Sequence, residues 1–332
     1  MRTVTVACCH TFGDPRQVVQ VETRELDDQR LGPTQVLVEM LAAPVNPADI
    51  NIIQGTYGRR PPLPASLGNE GAGRVIAVGG AVRRLRLDQL VRPVPGVGAW
   101  QSALIADEKQ LMALPDGLEP EQAATLCINP ATAWRMLHDF VRLQPGDWVV
   151  QNAANSDVGR YVIQLAHYLD FHTVNVVRRP GLETELEAIG ADRVVTEELD
   201  LGARVKELTG GAWPRLALNS VGGASALNLA KALGRRGALV TYGAMGRQPL
   251  AIPNGLLIFS ELACCGFWVT AWYERAAPAK IEEMFAALGL LLRDGELVGK
   301  VARRYPLAEA PQAVAHAMQE QRQGKILLTI SS

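Results

Sequence analysis

Short apolar runs separated by Gly- and Pro-containing turns occupy residues 1 to about 122. The runs are VTVACC, QVLVEML, GRVIAVGG and QSALIADEKQLMALP, and such runs are typical of β-strands. One segment, NPADINIIQG, differs, because Asn46 can cap a helix and Pro47 suits a first helical turn. The pattern predicts a compact β-rich region with one short helix.

The rhythm changes over residues 123 to 265, where strand patterns alternate with helical ones. The strand patterns are DWVVQNA, HTVNVV, DRVVTE, RLALNSV and GALVTYG. This alternation is typical of a parallel sheet with helices on both faces. After residue 266 we expect a strand-like FWVT, amphipathic helices over 280–293 and 308–322, and a final strand, KILLTI, that returns to the first region. The parallel-sheet domain (123–265) is then an insertion into a β-rich domain (1–122 plus 266–332).

The stretch QNAANSDVGRYVIQLA (151–166) predicts a strand, a turn and a helix, the usual place for a dinucleotide. Glycines normally allow this turn its left-handed backbone and its close approach to phosphate. Here Asn155 is the expected left-handed substitute, Ser156 can donate its hydroxyl to phosphate, and Gly159 can keep the helix near the sheet. Asp157 either points to solvent, which we expect, or repels the pyrophosphate and weakens cofactor binding.

Arg178 and Arg179 follow Gly159 by 19 and 20 residues. NAD-binding proteins place an acidic residue about 20 residues beyond the turn, where it binds the ribose. A pair of guanidinium groups suits a 2′-phosphate instead. The alternative is two solvated arginines at a strand end. We interpret the pair as a preference for NADPH over NADH.

Composition and charge exclude several classes of partner. The 332 residues carry 33 Lys+Arg and 34 Asp+Glu, a net charge of -1 that gives no support for nucleic-acid or anionic-membrane binding. No apolar run approaches a membrane span, and the N-terminal stretch alternates like a strand, so we expect a cytoplasmic protein. The five histidines are scattered, and the cysteines fit buried apolar positions; we predict no metal. The cysteines are Cys8, Cys9, Cys127, Cys264 and Cys265.

Several blocks in the same order resemble the zinc-free medium-chain dehydrogenase/reductase superfamily, and within it the mitochondrial-type trans-2-enoyl-thioester reductases. The blocks are NPADINIIQGTYG, GNEGAG, GVGAWQS, NPATAWRML, QNAANSDVG, LNSVGG, VTYGAMGRQP and GFWVTAW. The resemblance implies an α/β fold in which a GroES-like β-rich catalytic domain carries an inserted Rossmann-type, doubly wound parallel sheet. It also implies NADPH, held near residues that include Asn155, Ser156 and Arg178. The others implied are Asn129, Val158, Tyr242, Gly243, Ala244, Met245, Phe267, Trp268, Val269 and Lys325. Zinc-binding relatives have a histidine where this chain has Asn69.

Tyr57, in QGTYG, matches the active-site tyrosine of that family. Its phenol is neutral at pH 7 and can donate a hydrogen bond or a proton to an enolate. Asn46 either contacts substrate or only caps its helix, and Trp100 either lines the substrate pocket or is core. The aromatic side chains of FWVTAW, with Trp272, can form an acyl pocket. ELACCGFWVT, read as one long apolar strand, instead or in addition pairs two subunits, so we expect a homodimer.

Three functions remain open from the sequence. The first is NADPH-dependent reduction of the double bond of 2-enoyl thioesters carried by CoA or an acyl carrier. The second is reduction of quinones or free enones by the same fold. The third, from a different class, is a non-catalytic NADPH-binding protein, because a fold does not guarantee a function.

Overall fold

A computed structural model describes residues 1–198, 200–319 and 322–330. The strands, in chain order, are β1 (Arg2–Cys9), β2 (Gln20–Leu26), β3 (Gln35–Val45), β4 (Ala65–Ser66), β5 (Ala72–Val78), β6 (Leu90–Pro93), β7 (Ala103–Asp107), β8 (Leu111–Ala113), β9 (Trp148–Gln151), β10 (His172–Val177), β11 (Arg193–Thr196), β12 (Leu216–Asn219), β13 (Ala238–Thr241), β14 (Ala263–Gly266), β15 (Val301–Pro306) and β16 (Lys325–Thr329). The helices are α1 (Pro15–Val18), α2 (Pro47–Ile53), α3 (Pro120–Thr125), α4 (Asn129–Asp139), α5 (Asp157–Tyr168), α6 (Glu183–Glu187), α7 (Leu201–Leu208), α8 (Gly223–Lys231), α9 (Asn254–Phe259), α10 (Val269–Arg275), α11 (Pro278–Arg293) and α12 (Ala310–Ala317).

The described chain divides into two compact units. The β-rich unit comprises Met1–Ile128, Phe285–Asp294 and the chain from Val298 onward. The nucleotide-type unit comprises Asn129–Met284 and Gly295–Leu297. The functional domain boundaries inferred from the sequence, after residues 122 and 265, stay a prediction.

The larger sheet of the β-rich unit runs in the order β15–β16–β3–β5–β6–β8 among the described strands, with β7 also paired to β3. β16 lies antiparallel to β3, with Leu328 opposite Ala43. The final strand therefore returns to the first region, as the sequence predicts. A smaller sheet, β2–β1–β4, packs beside it, and the shared core is aliphatic, with Val38 and Ile326 fully buried.

Trp100 belongs to this core. Its side chain is fully buried, and its indole Nε1 donates to the Pro44 carbonyl at 3.2 Å. A Cβ atom at Gly68 would lie 2.3 Å from Trp100 Cδ1, and Gly68 has a φ of +92°, so only glycine fits at that position. Of the two interpretations of Trp100, the structure favours core packing.

The nucleotide-type unit contains the parallel sheet that the alternating pattern predicts. Its described strands run in the order β11–β10–β9–β12–β13–β14. All its recorded pairings are parallel, for example Val174 of β10 against Val150 of β9. Both side chains are fully buried, which explains why these strands read as near-continuous apolar runs. The α/β fold class is confirmed.

The segment after β13 differs from the prediction. β14 ends at Gly266 and α10 begins at Val269, so FWVT is not a strand and ELACCGFWVT is not one long strand. Aromatic and β-branched residues favour strands only when neighbours pack around them, and here the turn into α10 prevails. Cys264, expected to be buried, is exposed on this edge strand, whereas Cys8, Cys9 and Cys127 are buried.

The two helices predicted near the C-terminus are present. The helix predicted over 280–293 is α11, which begins two residues earlier. The helix predicted over 308–322 is shorter: a 3-10 turn, Leu307–Glu309, precedes α12, which ends at Ala317. Residues 320 and 321 of that prediction lie outside the described residues. No helix of the described chain is long and apolar enough to cross a membrane.

Candidate active site

The turn between β9 and α5 leads directly into a helix N-terminus, although it lacks two of the usual glycines. Ser156 caps α5, and its Oγ accepts a hydrogen bond from the Gly159 backbone N–H at 3.2 Å. A Cβ atom at Gly159 would lie 2.5 Å from the Ala154 carbonyl oxygen, so any side chain there would push α5 away from the sheet. The expectation that Gly159 holds the helix close is confirmed. The unpaired N–H groups and dipole of a helix N-terminus favour an anion.

The left-handed residue of this turn is not Asn155. Ala153 has the positive φ, +49°, and Asn155 is exposed. The turn begins two residues earlier than expected, since the Ser156 N–H bonds to the Ala153 carbonyl at 2.9 Å. An alanine in this conformation costs about 1–2 kcal/mol. The prediction that Asn155 replaces a glycine was therefore wrong: another non-glycine residue, Ala153, takes the left-handed conformation.

Asp157 and Val158 open α5, and both are half-buried. An acid in the first turn is stabilised by the helix dipole. This is the same field that would attract a pyrophosphate.

The end of β10 lies beside the turn. The Ala154 N–H donates to the Val176 carbonyl at 3.2 Å. Arg178 and Arg179 follow the last residue of β10 directly; Arg178 is exposed and Arg179 is half-buried. The structure therefore brings the two arginines to the same edge of the sheet as the helix N-terminus, as the sequence predicts.

A buried amide network joins the carboxyl ends of the central strands. The Asn152 side chain accepts from the Ser220 N–H at 2.7 Å and donates to Asn219 Oδ1 and Ser225 Oγ, both at 2.9 Å. Asn219 in turn accepts from the backbone N–H of Gly222 at 3.0 Å. Sequence analysis missed these residues. The available signal was polar side chains placed at the ends of apolar strands.

The loop after β13 is tied to the same network. The Tyr242 and Met245 N–H groups donate to the carbonyls of Asn219 and Ser220, at 3.0 and 2.9 Å. A Cβ atom at Gly243 would lie 2.6 Å from Ser220 Oγ, so the loop requires glycine there to stay close to β12. Ala244 and Met245 are exposed beyond it.

The Tyr242 hydroxyl is one of the buried polar atoms near the β9–α5 turn that lack a hydrogen-bond partner among the described residues; Gln151 Oε1 is another. The Tyr242 hydroxyl faces the hydroxyls of Ser156 and Ser220 but makes no hydrogen bond of normal geometry within the described chain. Burial raises the pKa of the phenol to about 12, so it stays neutral and keeps its proton. A buried donor without an acceptor is costly, which favours a bound group at this position.

The remaining predicted residues of this unit lie between β14 and α10, on α10, and at the start of α4. Phe267 is edge-on to Phe140, with ring centroids 5.8 Å apart. Trp268 caps α10, which Val269 opens. Trp272, one turn further, has the Arg135 guanidinium 4.6 Å from the centre of its ring. Asn129, almost buried, begins α4.

In the β-rich unit, α2 ends in a geometry that fixes the tyrosine loop. Gly55 has a φ of +71°. The N–H groups of Gly55 and Thr56 bond to the Ile52 and Asn51 carbonyls, both at 2.9 Å, which is a Schellman cap. The Tyr57 N–H also bonds to the Asn51 carbonyl, at 3.2 Å, and its side chain is half-buried. The loop therefore presents Tyr57 on a rigid support.

Asn46 does more than occupy the cap of α2. Its backbone N–H donates to the Asp49 carboxylate at 2.8 Å. Its side-chain oxygen accepts from the Lys325 ammonium at 2.7 Å, and its Nδ2 donates to Glu70 Oε2 at 2.9 Å. The other Glu70 oxygen accepts from the Ile128 N–H at 2.6 Å. Asn46 thus links Lys325 to a buried carboxylate that sequence analysis missed, although Glu70 stands in the quoted block GNEGAG.

The two buried carboxyl groups of this network, Glu70 and Asp49, have pKa values raised toward neutral pH. Burial raises the pKa of Glu70 to about 7, although the hydrogen bond from Asn46 and the charge of Lys325 lower it. Burial raises the pKa of Asp49 to about 6, although it accepts hydrogen bonds from the Asn46 and Asn69 N–H groups. The network can therefore change its protonation in the physiological range.

Family models and curated relatives identify the chain. The alcohol dehydrogenase GroES-like domain matches residues 32–116, and the zinc-binding dehydrogenase domain matches residues 158–288. The mitochondrial enoyl-[acyl-carrier-protein] reductase of Homo sapiens is 42% identical over 324 residues, which is 96% of this chain and 86% of that protein. The chain belongs to the enoyl thioester reductases of the medium-chain dehydrogenase/reductase superfamily. The mitochondrial enoyl-[acyl-carrier-protein] reductase of Dictyostelium discoideum, 38% identical, covers 99% of this chain and 95% of its own length.

Solved structures of enoyl thioester reductases agree with this assignment. The complex of Etr1p with NADP and crotonyl-CoA has a TM-score of 0.91 and 32% identity, and covers 99% of this chain and 100% of its own. The mitochondrial 2-enoyl thioester reductase Etr1p/Etr2p heterodimer from Candida tropicalis has the same TM-score and coverage. A putative NADPH:quinone reductase from Bacillus thuringiensis has a TM-score of 0.90 at 31% identity, and each chain is covered to 99%. The family and fold that the sequence resemblance implies are confirmed.

We expect Glu70 to give this enoyl thioester reductase a pH-dependent stability. Its folded pKa, about 7, lies above the ordinary 4.5, so the stability that it contributes is full below 4.5 and is lost as the pH rises through about 7. Glu70→Gln removes this ionisation. Between about pH 5 and about pH 8 the wild type should lose roughly 1–3 kcal/mol of unfolding free energy that the variant keeps.

Denaturant unfolding at the two pH values measures this difference. Glu282→Gln, which changes an exposed carboxyl on α11, serves as the control and should follow the wild type. Parallel stability profiles for wild type and Glu70→Gln would contradict the buried, titrating carboxyl.

Proposed function

We propose that this chain reduces the α,β double bond of 2-enoyl thioesters, carried by CoA or an acyl carrier, with NADPH. The observation that carries the proposal is the 42% identity with an enoyl-[acyl-carrier-protein] reductase over 96% of the chain. The chain is an oxidoreductase that acts on carbon–carbon double bonds. CoA esters and acyl-carrier thioesters share the reacting group, so the proposal covers both.

The residues of the nucleotide-type unit fit NADPH. The N-terminus of α5, with Ser156 as its cap, offers an anion site for pyrophosphate. Arg178 and Arg179, beside that turn, suit the 2′-phosphate through charge-assisted hydrogen bonds. The buried Tyr242 hydroxyl, beside the hydroxyl of Ser156, adds a hydrogen-bond donor. The other proposed cofactor contacts are Asn129, Asn155, Asp157, Val158, Gly243, Ala244, Met245, Phe267, Trp268, Val269 and Lys325.

The catalytic group that we propose is Tyr57. NADPH, when bound, supplies the hydride for the β-carbon of the substrate. The phenol of Tyr57 donates a hydrogen bond to the thioester carbonyl oxygen, where negative charge develops as the enolate forms. The enolate then takes a proton at its α-carbon, from Tyr57 or from water. The Schellman cap restrains the backbone of Tyr57, which lowers the cost of orienting the phenol.

Substrate and partner assignments follow as further proposals. Trp272 and Asn46 are proposed to contact the acyl thioester. β14, an exposed edge strand, is proposed to pair with a second copy of the chain. Ile258 and Phe259 of α9, the helix that precedes β14 in the sequence, are exposed apolar side chains. The curated relatives are named as mitochondrial proteins, and the cytoplasmic location stays a prediction.

A second candidate function is reduction of quinones or free enones. The similarity to the putative NADPH:quinone reductase of Bacillus thuringiensis favours it, since the fold and hydride chemistry are shared. The family assignment argues against the non-catalytic NADPH-binding role that the sequence alone left open.

A panel of acceptors separates these functions. We expect crotonyl-CoA and hexenoyl-CoA to accelerate NADPH oxidation far more than a quinone or a free enone does, since only the thioesters carry the group that the family reduces. The rate of NADPH consumption measures it. A faster quinone reaction would favour the second function. NADPH binding without any acceptor-dependent oxidation would contradict the proposed reduction of enoyl thioesters.

We expect Tyr57→Phe to lower kcat by about 100-fold while leaving NADPH affinity unchanged, because the phenol acts on the substrate oxygen. Steady-state kinetics with crotonyl-CoA and a fluorescence titration with NADPH give the two quantities. Tyr168→Phe, at an exposed tyrosine of α5, is the matched control. Wild-type turnover in Tyr57→Phe would remove the residue from the mechanism.

We expect Arg178→Ala to reduce the preference for NADPH over NADH by about 10- to 100-fold, since one charged hydrogen-bond donor to the 2′-phosphate is lost. The ratio of kcat/KM for the two coenzymes measures it. Arg275→Ala, at an exposed arginine at the end of α10, should leave the ratio unchanged. An unchanged ratio in Arg178→Ala would reject the 2′-phosphate assignment.

A further inference from the structure

The β1–β2 strand pair brings three metal-ligating side chains together outside the proposed reductase site. Cys8 lies near the end of β1, and His10 is the first residue after that strand. In the pairing register Cys8 lies opposite Gln20, and Val6 lies opposite Glu22. Glu22 is therefore a diagonal neighbour of Cys8 on the same face of the strand pair. The sequence spacing alone does not reveal this cluster, because the carboxylate comes from the partner strand.

The three donor atoms are already in contact through one carboxylate. The Cys8 sulfur, a His10 ring nitrogen and a Glu22 oxygen all lie within 4.8 Å of one another. His10 Nε2 is 2.5 Å from Glu22 Oε1. The Cys8 thiol also lies in hydrogen-bond contact with Glu22.

We propose that Cys8, His10 and Glu22 form a zinc-binding site. Thiolate sulfur, imidazole nitrogen and carboxylate oxygen are the ligand types that zinc takes in proteins. On binding, sulfur–zinc, nitrogen–zinc and oxygen–zinc bonds replace the hydrogen bonds to Glu22, and the thiol proton of Cys8 goes to solvent. The thiolate and the carboxylate then supply two negative charges to the cation, and the carboxylate also keeps its ion pair with Arg24.

The observed spacing suits a tetrahedral cation after small side-chain rotations. Donor atoms bound to one tetrahedral zinc lie about 3.4–3.6 Å apart. The observed separations, 2.5 Å for the histidine–glutamate pair and at most 4.8 Å within the cluster, lie on either side of that value. Zinc binding therefore requires the histidine and glutamate donors to separate by about 1 Å. The fourth position is left for water or another ligand.

The surroundings support such a site. Arg24 Nη2 donates to the second oxygen of Glu22 at 3.1 Å, and Arg24 Nη1 donates to Ser66 Oγ at 3.3 Å. Hydrogen bonds of this kind orient a ligating carboxylate. Cys8 is fully buried in a small apolar cluster, whereas the His10 side chain is half exposed and open to an entering ion. This site is independent of the proposed reduction and is separate from the block with Asn69, where zinc-binding relatives carry a histidine.

Metal titration of the whole protein tests the site. The full chain is dialysed against a chelator and then titrated with zinc in competition with a chromophoric chelator. We expect one zinc per chain at micromolar free zinc. With cobalt in place of zinc, we expect the near-ultraviolet charge-transfer absorption of a thiolate–cobalt bond.

Variants assign the ligands. We expect His10→Gln and Glu22→Gln to weaken zinc binding by more than about 100-fold, since loss of even an outer hydrogen bond costs 10- to 100-fold. Cys8→Ser should abolish the cobalt–thiolate band. His167→Gln and Cys264→Ser, an exposed histidine and an exposed cysteine elsewhere in the chain, are the matched controls and should bind like the wild type.

Three outcomes would overturn the proposal. One is a wild-type chain that retains no zinc under these conditions. Another is zinc binding that His10→Gln and Glu22→Gln leave unchanged. The third is a cobalt band that persists in Cys8→Ser. If Cys8→Ser does not fold, the two variants at the more exposed positions decide the question alone.

Discussion

A buried ammonium group sets the constraint on which the β-rich unit depends. Lys325 is 95% removed from solvent, and a cation in such a place requires acceptors and opposite charge. Asn46 supplies the acceptor, and the carboxyls of Glu70 and Asp49 lie close enough for the charge of Lys325 to lower their pKa values against the larger effect of burial. These four residues come from three separate parts of the sequence, since only Asn46 and Asp49 are neighbours. The network therefore fixes the start of α2 against β16, and α2 in turn carries the loop with Tyr57.

The nucleotide-type unit also contains a buried network of polar side chains, here at the carboxyl ends of its central strands. The loop after β12 has backbone N–H groups that need hydrogen-bond acceptors. The side-chain oxygens of Asn152 and Asn219 accept from the N–H groups of Ser220 and Val221. This bonding holds the carboxyl ends of β9, β12 and β13 in a fixed relation. A parallel sheet binds ligands at that edge. The polar network is therefore the support on which a cofactor site can be rigid.

The hydrophobic periodicity was sufficient to predict the elements whose structure follows from their own local sequence. HTVNVV became β10 without error, and the strand–turn–helix at residue 151 was located correctly. The expectations failed where tertiary packing or local turn geometry decides the structure. The predicted strand FWVT contains the start of α10, at Val269, and Ala153 takes the conformation expected of Asn155. Glu70 and the β1–β2 cluster were missed because each depends on residues that only the fold brings together. Recognition of a family could name Tyr57 as a candidate but not the cap that restrains it.

The charge balance at the β9–α5 turn shows why Asp157 does not by itself exclude a phosphorylated cofactor. A carboxylate about 5 Å from a phosphate repels it by roughly 3 kcal/mol at an effective dielectric of 20. Arg178 and Arg179 stand at the neighbouring strand end, joined to the turn by the Ala154–Val176 hydrogen bond. A guanidinium attracts a phosphate where a carboxylate repels it, so the two arginines oppose the effect of Asp157. The helix terminus that carries Asp157 suits the pyrophosphate, which NADPH and NADH share, so the acid affects the two coenzymes alike. The discrimination between them is therefore left to the groups that suit the 2′-phosphate, which on this proposal are Arg178 and Arg179.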